Sequence, residues 1–323
     1  MSPHSKSPST VPQRALGATG QSVSCLGLGC ASYWAKPRFA ENKARAVVET
    51  ALASGITLFD TGASYAAGHA EQRLGRLLRE LDADPDALLI GTKVGTISDV
   101  RGRLRKDFDP NSIIEQTEQS LKRLGLEQVG LIQLHGPEPT DLTDELLTAL
   151  EQLKQQGKAR LIGINANDRI IQHAIAREPF DVLMPFISLL EPDHKQLARH
   201  AADAGQAVLA AGPLARMLFA PPLASWLTRP SGLWYLARAL RHPRSMRWRK
   251  MRALHSILKH QGWTSAQLAL AWILEQPGIS SAVFGTTKPE HVSELTAASQ
   301  RALPSAIRQK LLNFLADDPE FTR

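Results

Sequence analysis

The sequence predicts an α/β protein built as a single closed (β/α)8 barrel of parallel strands. Three observations carry that reading. Eight short apolar or β-branched runs recur along the chain, helical periodicity follows them, and 323 residues suit one such barrel. Eight strand–helix units favour closure over an open sheet, and barrels of roughly 250 residues fold as one domain. A doubly wound open sheet is the alternative that alternation alone leaves standing.

The strand runs, in order, are CLGLGC (25–30), ITLFD (56–60), LLIGTKV (88–94), VGLIQLH (129–135), RLIGIN (160–165), VLMPFI (182–187), AVLA (207–210) and SAVFG (281–285). Among the helical stretches are 42–53, 71–81, 110–124 and 143–155. In the second of these, Leu74, Leu77, Leu78 and Leu81 share one face. Asp109 before Pro110 reads as an N-cap with proline at the first helical position. Gly125 and Gly157 stand where helices end on a left-handed residue. The rhythm breaks after the seventh run. About 50 residues intervene before the next helix, too many for a simple connection, so a helical insert at about 213–262 is expected between strand 7 and helix 7.

Composition excludes several classes. Hydrophobic residues make up 43% of the chain, enough for a full core. Cys25 and Cys30 are the two cysteines. Five apart on a strand, they face opposite sides, so reduced thiols are expected rather than a disulfide framework. Residues 1–12 are Ser/Pro-rich and have no apolar stretch. They read as a disordered lead-in, not a secretory signal, with one domain over 13–323. VLMPFISLL (182–190) is far shorter than the ~20 residues of a membrane helix. A soluble, cytoplasmic protein without a membrane span is therefore expected. The net charge of +7 is local: residues 205–274 contain ten Lys or Arg and no Asp or Glu, and taking those ten away leaves the remainder at −3.

Four titratable residues stand at the ends of consecutive runs. Asp60 ends the second and Tyr65 follows it; Lys93 is near the end of the third, and His135 ends the fourth. In a barrel the C-terminal strand ends surround the active site, so these groups converge on rigid supports. Each has an ordinary role when taken alone: a cap, a solvated strand end, a core histidine. Together they match the needs of carbonyl chemistry. A phenol, with an ordinary pKa of about 10, is a poor acid at neutrality, and an adjacent ammonium favours its ionised form. Lys93 can supply the ammonium and Asp60 can hold it. His135 can donate a hydrogen bond to the carbonyl oxygen as negative charge builds there.

The resemblance to a known family lies in these segments. GITLFDTGASYAAGHAEQRLGRLL (55–78) resembles the aldo-keto reductase signature F-D-T-A-x-x-Y-G-x-x-E-x-x-L-G. GTKV (91–94) and LIQLHGP (131–137) resemble the family's lysine and histidine motifs. QRALGATGQSVSCLGLG (13–29) is similar to its N-terminal hairpin and first strand, while 157–165 and 276–295 resemble its fifth and eighth units. The likeness runs from about 13 to 298. It implies a TIM-barrel NAD(P)H-dependent reductase with Tyr65 as the acid.

It also implies a cofactor site without the open-sheet fingerprint. Gly27-Leu28-Gly29 lacks the third glycine of G-x-G-x-x-G, because position 32 is Ser. By resemblance, Gly29, Cys30 and Asp60 lie under the nicotinamide. Asn165 holds the amide, although Ala166 and Met184 stand where the family commonly has Asn and Gln. Gly212, Pro213, Leu214 and Arg216 align with the pyrophosphate turn. Gly285, Thr286, Thr287, Lys288 and His291 align with the adenosine-phosphate site. His291 replaces a frequent Arg that would clamp phosphate bidentately. The expected cofactor is NADPH, with NADH as the alternative; no metal is expected. Tyr33 and Trp34, after the first strand, are the expected substrate contacts. The Trp- and Arg-rich insert reads as a lid over the barrel mouth rather than a nucleic-acid surface. The expected function is reduction of an aldehyde or ketone, or the reverse oxidation of an alcohol. The alternative is a nucleotide-binding redox-sensing subunit with little turnover, docking through the basic insert.

Overall fold

The computed structural model describes residues 10–31, 33–98, 103–190, 194–215 and 248–316. The barrel strands are β3 (Leu26–Gly29), β4 (Leu58–Asp60), β5 (Leu89–Val94), β8 (Val129–His135), β9 (Ala159–Ala166), β10 (Val182–Pro185), β11 (Ala207–Ala211) and β12 (Ile279–Phe284). They close in the order β10-β11-β12-β3-β4-β5-β8-β9, every pair parallel. All eight overlap the runs read from sequence, so the closed barrel replaces the open-sheet alternative.

Around the barrel lie α1 (Glu41–Ala53), α2 (His69–Glu80), α3 (Pro110–Leu124), α4 (Asp144–Gln155), α5 (Asp168–Ala174), α6 (His194–Asp203), α7 (Trp248–Ile257), α8 (Ser265–Leu274), α9 (Pro289–Ser299) and α10 (Ser305–Ala316). Local chemistry fixes their ends. Asp109 accepts from the Asn111 and Ser112 amides at the start of α3, and Gly125 closes that helix at φ 70°. Thr143 caps α4 in the same manner, its side chain accepting from the Leu146 amide. The second helix begins at His69, two residues earlier than its leucine pattern implied.

Two ribbons lie outside the barrel. β1 (Gln13–Ala15) and β2 (Ser22–Ser24) form the N-terminal hairpin that the resemblance implied. β6 (Thr96–Ser98) and β7 (Leu104–Lys106) form a second hairpin after β5, which the sequence reading missed. Packed structure also starts earlier than residue 13: Val11 is buried and donates its amide to Ser54 O. Residues 1–9 lie outside the described residues, as do 216–247, the centre of the insert expected at 213–262. The described end of that insert, α7, buries Met251 and Leu254 and packs against α10. Among the described residues no helix is long and apolar enough to cross a membrane.

The pleat divides the barrel interior into storeys. Inward-facing residues alternate along each strand. Low in the barrel they are aliphatic: Leu58, Leu89, Leu131, Leu161, Val182 and Leu209 form one buried cluster. Leu16 and Val23 of the N-terminal hairpin join that cluster and close its lower end. Gly17 permits the approach, because a Cβ there would lie 2.5 Å from Gly205 O. Two or four residues further along, the same inward parity carries Asp60, Lys93, Gln133, His135 and Asn165. The opposite parity, with Leu28, Ile90, Ile132 and Ile164, packs against the helices.

Candidate active site

Asp60 ends β4, and strand pairing sets it beside Gly29 on one side and Gly91 on the other. Lys93, two residues beyond Gly91, is 1% exposed. Its ammonium donates to Asp60 Oδ2 and, at 2.8 Å, to Thr61 O. Gln133 Nε2 donates to Asp60 Oδ1 at 2.9 Å. The Gln133 carboxamide oxygen has no partner among the described residues, so the carboxylate alone determines which way that amide faces.

Tyr65 sits in the turn after β4. Its ring centroid is 5.3 Å from Lys93 Nζ and 5.6 Å from the His135 ring, which meets it edge-on at 87°. Gly62 allows this packing: a Cβ there would be 3.3 Å from the Tyr65 ring and 3.4 Å from Lys93 Cβ. After Tyr65 the chain takes three consecutive left-handed residues, Ala66 (φ 51°), Ala67 (φ 55°) and Gly68 (φ 87°), and α2 begins. Left-handed alanine costs about 1–2 kcal/mol, so this turn holds strain next to the phenol.

Two charges in the site are displaced from ordinary behaviour. Burial alone would lower the Lys93 pKa, but the Asp60 carboxylate and the Tyr65 phenol outweigh it and hold the ammonium above the usual lysine value. His135 moves the other way. Burial, then the charges of Lys93 and Lys106, push it down to about 3, so the imidazole is neutral near pH 7. Ser64 Oγ lies 3.4 Å from its Nδ1. The cluster is therefore a fixed cation beside a phenol, with a neutral imidazole across from them. It can give a proton to a reacting oxygen, hold the phenolate that remains, and donate a hydrogen bond to the same oxygen. Asp60, Tyr65, Lys93 and His135 are thus brought together, as their strand-end positions implied. Sequence reasoning missed Gln133, Thr61, Ser64, Thr96 and Lys106. Gln133 was legible in principle, being two residues before His135 and of the same inward parity.

The other predicted residues divide. Cys30 donates its amide to Asp60 O, but its thiol is 1% exposed, and burial followed by the Asp60 charge pushes its pKa up. It offers backbone there, not a thiolate. Asn165 donates Nδ2 to Met184 O at 2.8 Å, and Met184 is buried among the inward aliphatics. Gly212, Pro213, Leu214 and Ala215 form a turn after β11, with Gly212 exposed at φ 62°; Arg216 lies outside the described residues. Gly285 to Lys288 lead into α9, which has no side-chain N-cap. Thr286 Oγ1 instead accepts from Lys288 N and lies 3.0 Å from His291 Nδ1.

Trp34 corrects the expectation of a substrate contact. It is 2% exposed, donates its indole N–H to Ala44 O, and lies under the Arg73 guanidinium. It is buried against α1 and Arg73 and leaves almost no surface for a substrate to touch. Tyr33 is 50% exposed and packs on Phe39 with Arg38 over its ring. Buried Arg73, on α2, holds this loop by donating to the carbonyls of Trp34, Lys36 and Phe39 and pairing with Glu41.

A sequence model of the aldo/keto reductase family matches residues 25–310. A Schizosaccharomyces pombe protein provisionally named a voltage-gated potassium channel subunit beta is 29% identical over 343 aligned residues, covering 98% of this chain and 97% of its own length. Among solved structures, the holo form of aldo-keto reductase AKR11C1 from Bacillus halodurans is 26% identical. It has a TM-score of 0.78 and covers 94% of this chain and 96% of that one. A thermostable aldo-keto reductase, Tm1743, solved with the inhibitor epalrestat, has a TM-score of 0.72 at 24% identity and covers 94% of this chain and all of its own, a likeness of fold alone.

Proposed function

The chain belongs to the aldo/keto reductase family, a family of oxidoreductases, and on that premise we propose that it reduces the carbonyl of an aldehyde or ketone at the expense of NADPH, with Tyr65 as proton donor. The observation that carries this reading is the buried Asp60–Lys93 pair with the Tyr65 ring and a neutral His135 against it.

A nicotinamide dinucleotide, when bound, supplies the hydride. The residues present suit such a group. The start of α9 has no side-chain cap, and Thr286, Thr287, Lys288 and His291 surround it, a donor set for a phosphate. Lys288 gives a point charge for the adenosine phosphate of NADPH; NADH would leave it unused. Asn165 has its N–H engaged by Met184 O, which leaves its carboxamide oxygen to accept from an amide. The Met184 side chain adds apolar contact only. Gly29, the Cys30 backbone and Asp60 would lie beneath the ring, and the turn Gly212-Pro213-Leu214 with Arg216 would hold the pyrophosphate.

On this reading the substrate carbonyl lies between Tyr65 and His135. His135, neutral, donates a hydrogen bond to its oxygen as charge develops. Tyr65 gives that oxygen its proton, and the Lys93 ammonium stabilises the phenolate left behind. Asp60, which accepts from both Lys93 and Gln133, keeps the ammonium in place. Tyr33 is the substrate contact on the loop after β3. Two buried free thiols suit a reducing compartment such as the cytoplasm.

NADPH consumption against a panel of aldehydes and ketones tests the proposal. Turnover should fall on the order of a thousandfold in Tyr65→Phe, a loss in the middle of the range that one positioned acid contributes. The relative named as a channel subunit favours a second reading, in which the chain binds nucleotide and serves as a redox-sensing partner of a membrane protein. Tight binding of NADPH with no turnover of any carbonyl, unchanged in Tyr65→Phe, would decide for that reading.

A further inference from the structure

The hairpin β6–β7 leaves the barrel after the lysine strand and returns beside the histidine strand. Two of its side chains meet one atom of the active site. Thr96 Oγ1 donates to the main-chain oxygen of His135 at 2.8 Å, and Lys106 Nζ donates to the same oxygen at 2.6 Å. Lys106 also donates to Thr96 Oγ1 at 2.8 Å, which closes a triangle. This carbonyl ends β8, where the sheet ladder stops, so the hairpin supplies the donors that the ladder no longer does.

The surroundings are shaped for the ammonium. Gly136 follows His135 at φ 63°, and a Cβ there would come within 3.0 Å of Lys106 Nζ. Phe108, seated over Gly95, presents its ring 5.8 Å from the same nitrogen.

We propose that Lys106 is a positioning residue for His135. From a ribbon outside the barrel it clamps the histidine's main-chain oxygen, together with Thr96, and so fixes where the imidazole points. The inference rests on the reductase reading only for the catalytic consequence; the clamp itself stands on geometry. A second effect follows from charge. The groups facing the imidazole are Lys93 from β5, with Asp60 from β4 behind it, the Tyr65 ring, and Lys106 from β7. Glu138 and Asp141 face Lys106 from the turn after β8. Lys106 thus helps Lys93 to disfavour a proton on His135, and removing its charge makes protonation easier.

Lys106 is exposed, so Lys106→Met leaves the core untouched. In the full chain with NADPH, K106M is expected to lower kcat on the order of tenfold, since small misplacements of catalytic groups are costly. KM for the carbonyl should stay near that of the wild type, and Lys106→Arg, which keeps a charged donor, should restore most of the rate. In apo protein with 13C-labelled histidine, the acid titration of the His135 ring should move up by on the order of one pH unit in K106M. A wild-type kcat together with a wild-type ring titration in K106M would overturn the proposal. A wild-type protein that turns over no carbonyl, with the ring titration still displaced in K106M, would sink the reductase reading and leave the clamp standing.

Discussion

Lys93 and Asp60 depend on each other because neither is tolerable alone. Both are almost fully buried, and each supplies the other's main counter-charge. Removing one partner of such a pair leaves a charge in a low-dielectric site at a cost of about 3–5 kcal/mol. Lys93→Met and Asp60→Asn should each destabilise by that order, while the double variant should lose clearly less than the sum. Urea unfolding of the four proteins measures the coupling, and strictly additive losses would show the pair to be energetically idle. The pair's partners were unevenly legible. Residues with a distinctive chemical type at a strand end announced themselves, as Asp60, Lys93 and His135 did. Gln133, Thr61 and Thr96 act through an amide, a carbonyl and a hydroxyl that any sequence contains in quantity. Only their place in the closed barrel makes them part of the site.

Helix α2 shows how packing overrides propensity. Gly75 lies inside it, and exchange of a helical glycine for alanine ordinarily stabilises by about 0.5–1 kcal/mol. Here a Cβ would stand 2.0 Å from the Leu124 carbonyl at the end of α3. Gly75→Ala should therefore destabilise, by about 1–3 kcal/mol as overpacking does, and thermal unfolding would show the sign. A raised Tm would mean that α2 and α3 are not so closely seated. The leucines of α2 were readable as one face, but nothing in their spacing reveals that the glycine lets two helices touch. The hairpin β6–β7 escaped for a related reason: three-residue strands are too short for period-2 alternation to stand out. The substrate role expected of Trp34 failed because position after a strand does not tell which way a side chain turns. Arg73, whose contacts span the chain from Trp34 to Glu41, draws that indole inward.

At the level of the whole molecule, the alternation of strand and helix was enough to predict the barrel, because eight such units have few ways to bury both faces of their strands. What closes its lower end was visible only by resemblance. Leu16 lies in the turn of the first hairpin, a position where sequence favours exposure, yet it is fully buried in the barrel's interior cluster. Leu16→Ala should destabilise global unfolding by about 2–5 kcal/mol, measured by chemical denaturation, and leave KM for carbonyl substrates unchanged, since the site is at the other end. A loss below about 0.5 kcal/mol would mean the hairpin is an ornament of the barrel and not its floor.

The storeys of the interior have a consequence for how such a chain can change. On β4, β5, β8 and β9 the aliphatic and the polar residues share a strand but stand at different levels, two or four residues apart. Mutations in the lower, aliphatic set therefore erode folding without touching the chemistry, whereas those in the Asp60–Lys93 pair do both. A lineage could exchange one reaction for another by rewriting the upper set around that pair, inheriting a foundation that has no stake in which molecule is turned over above it.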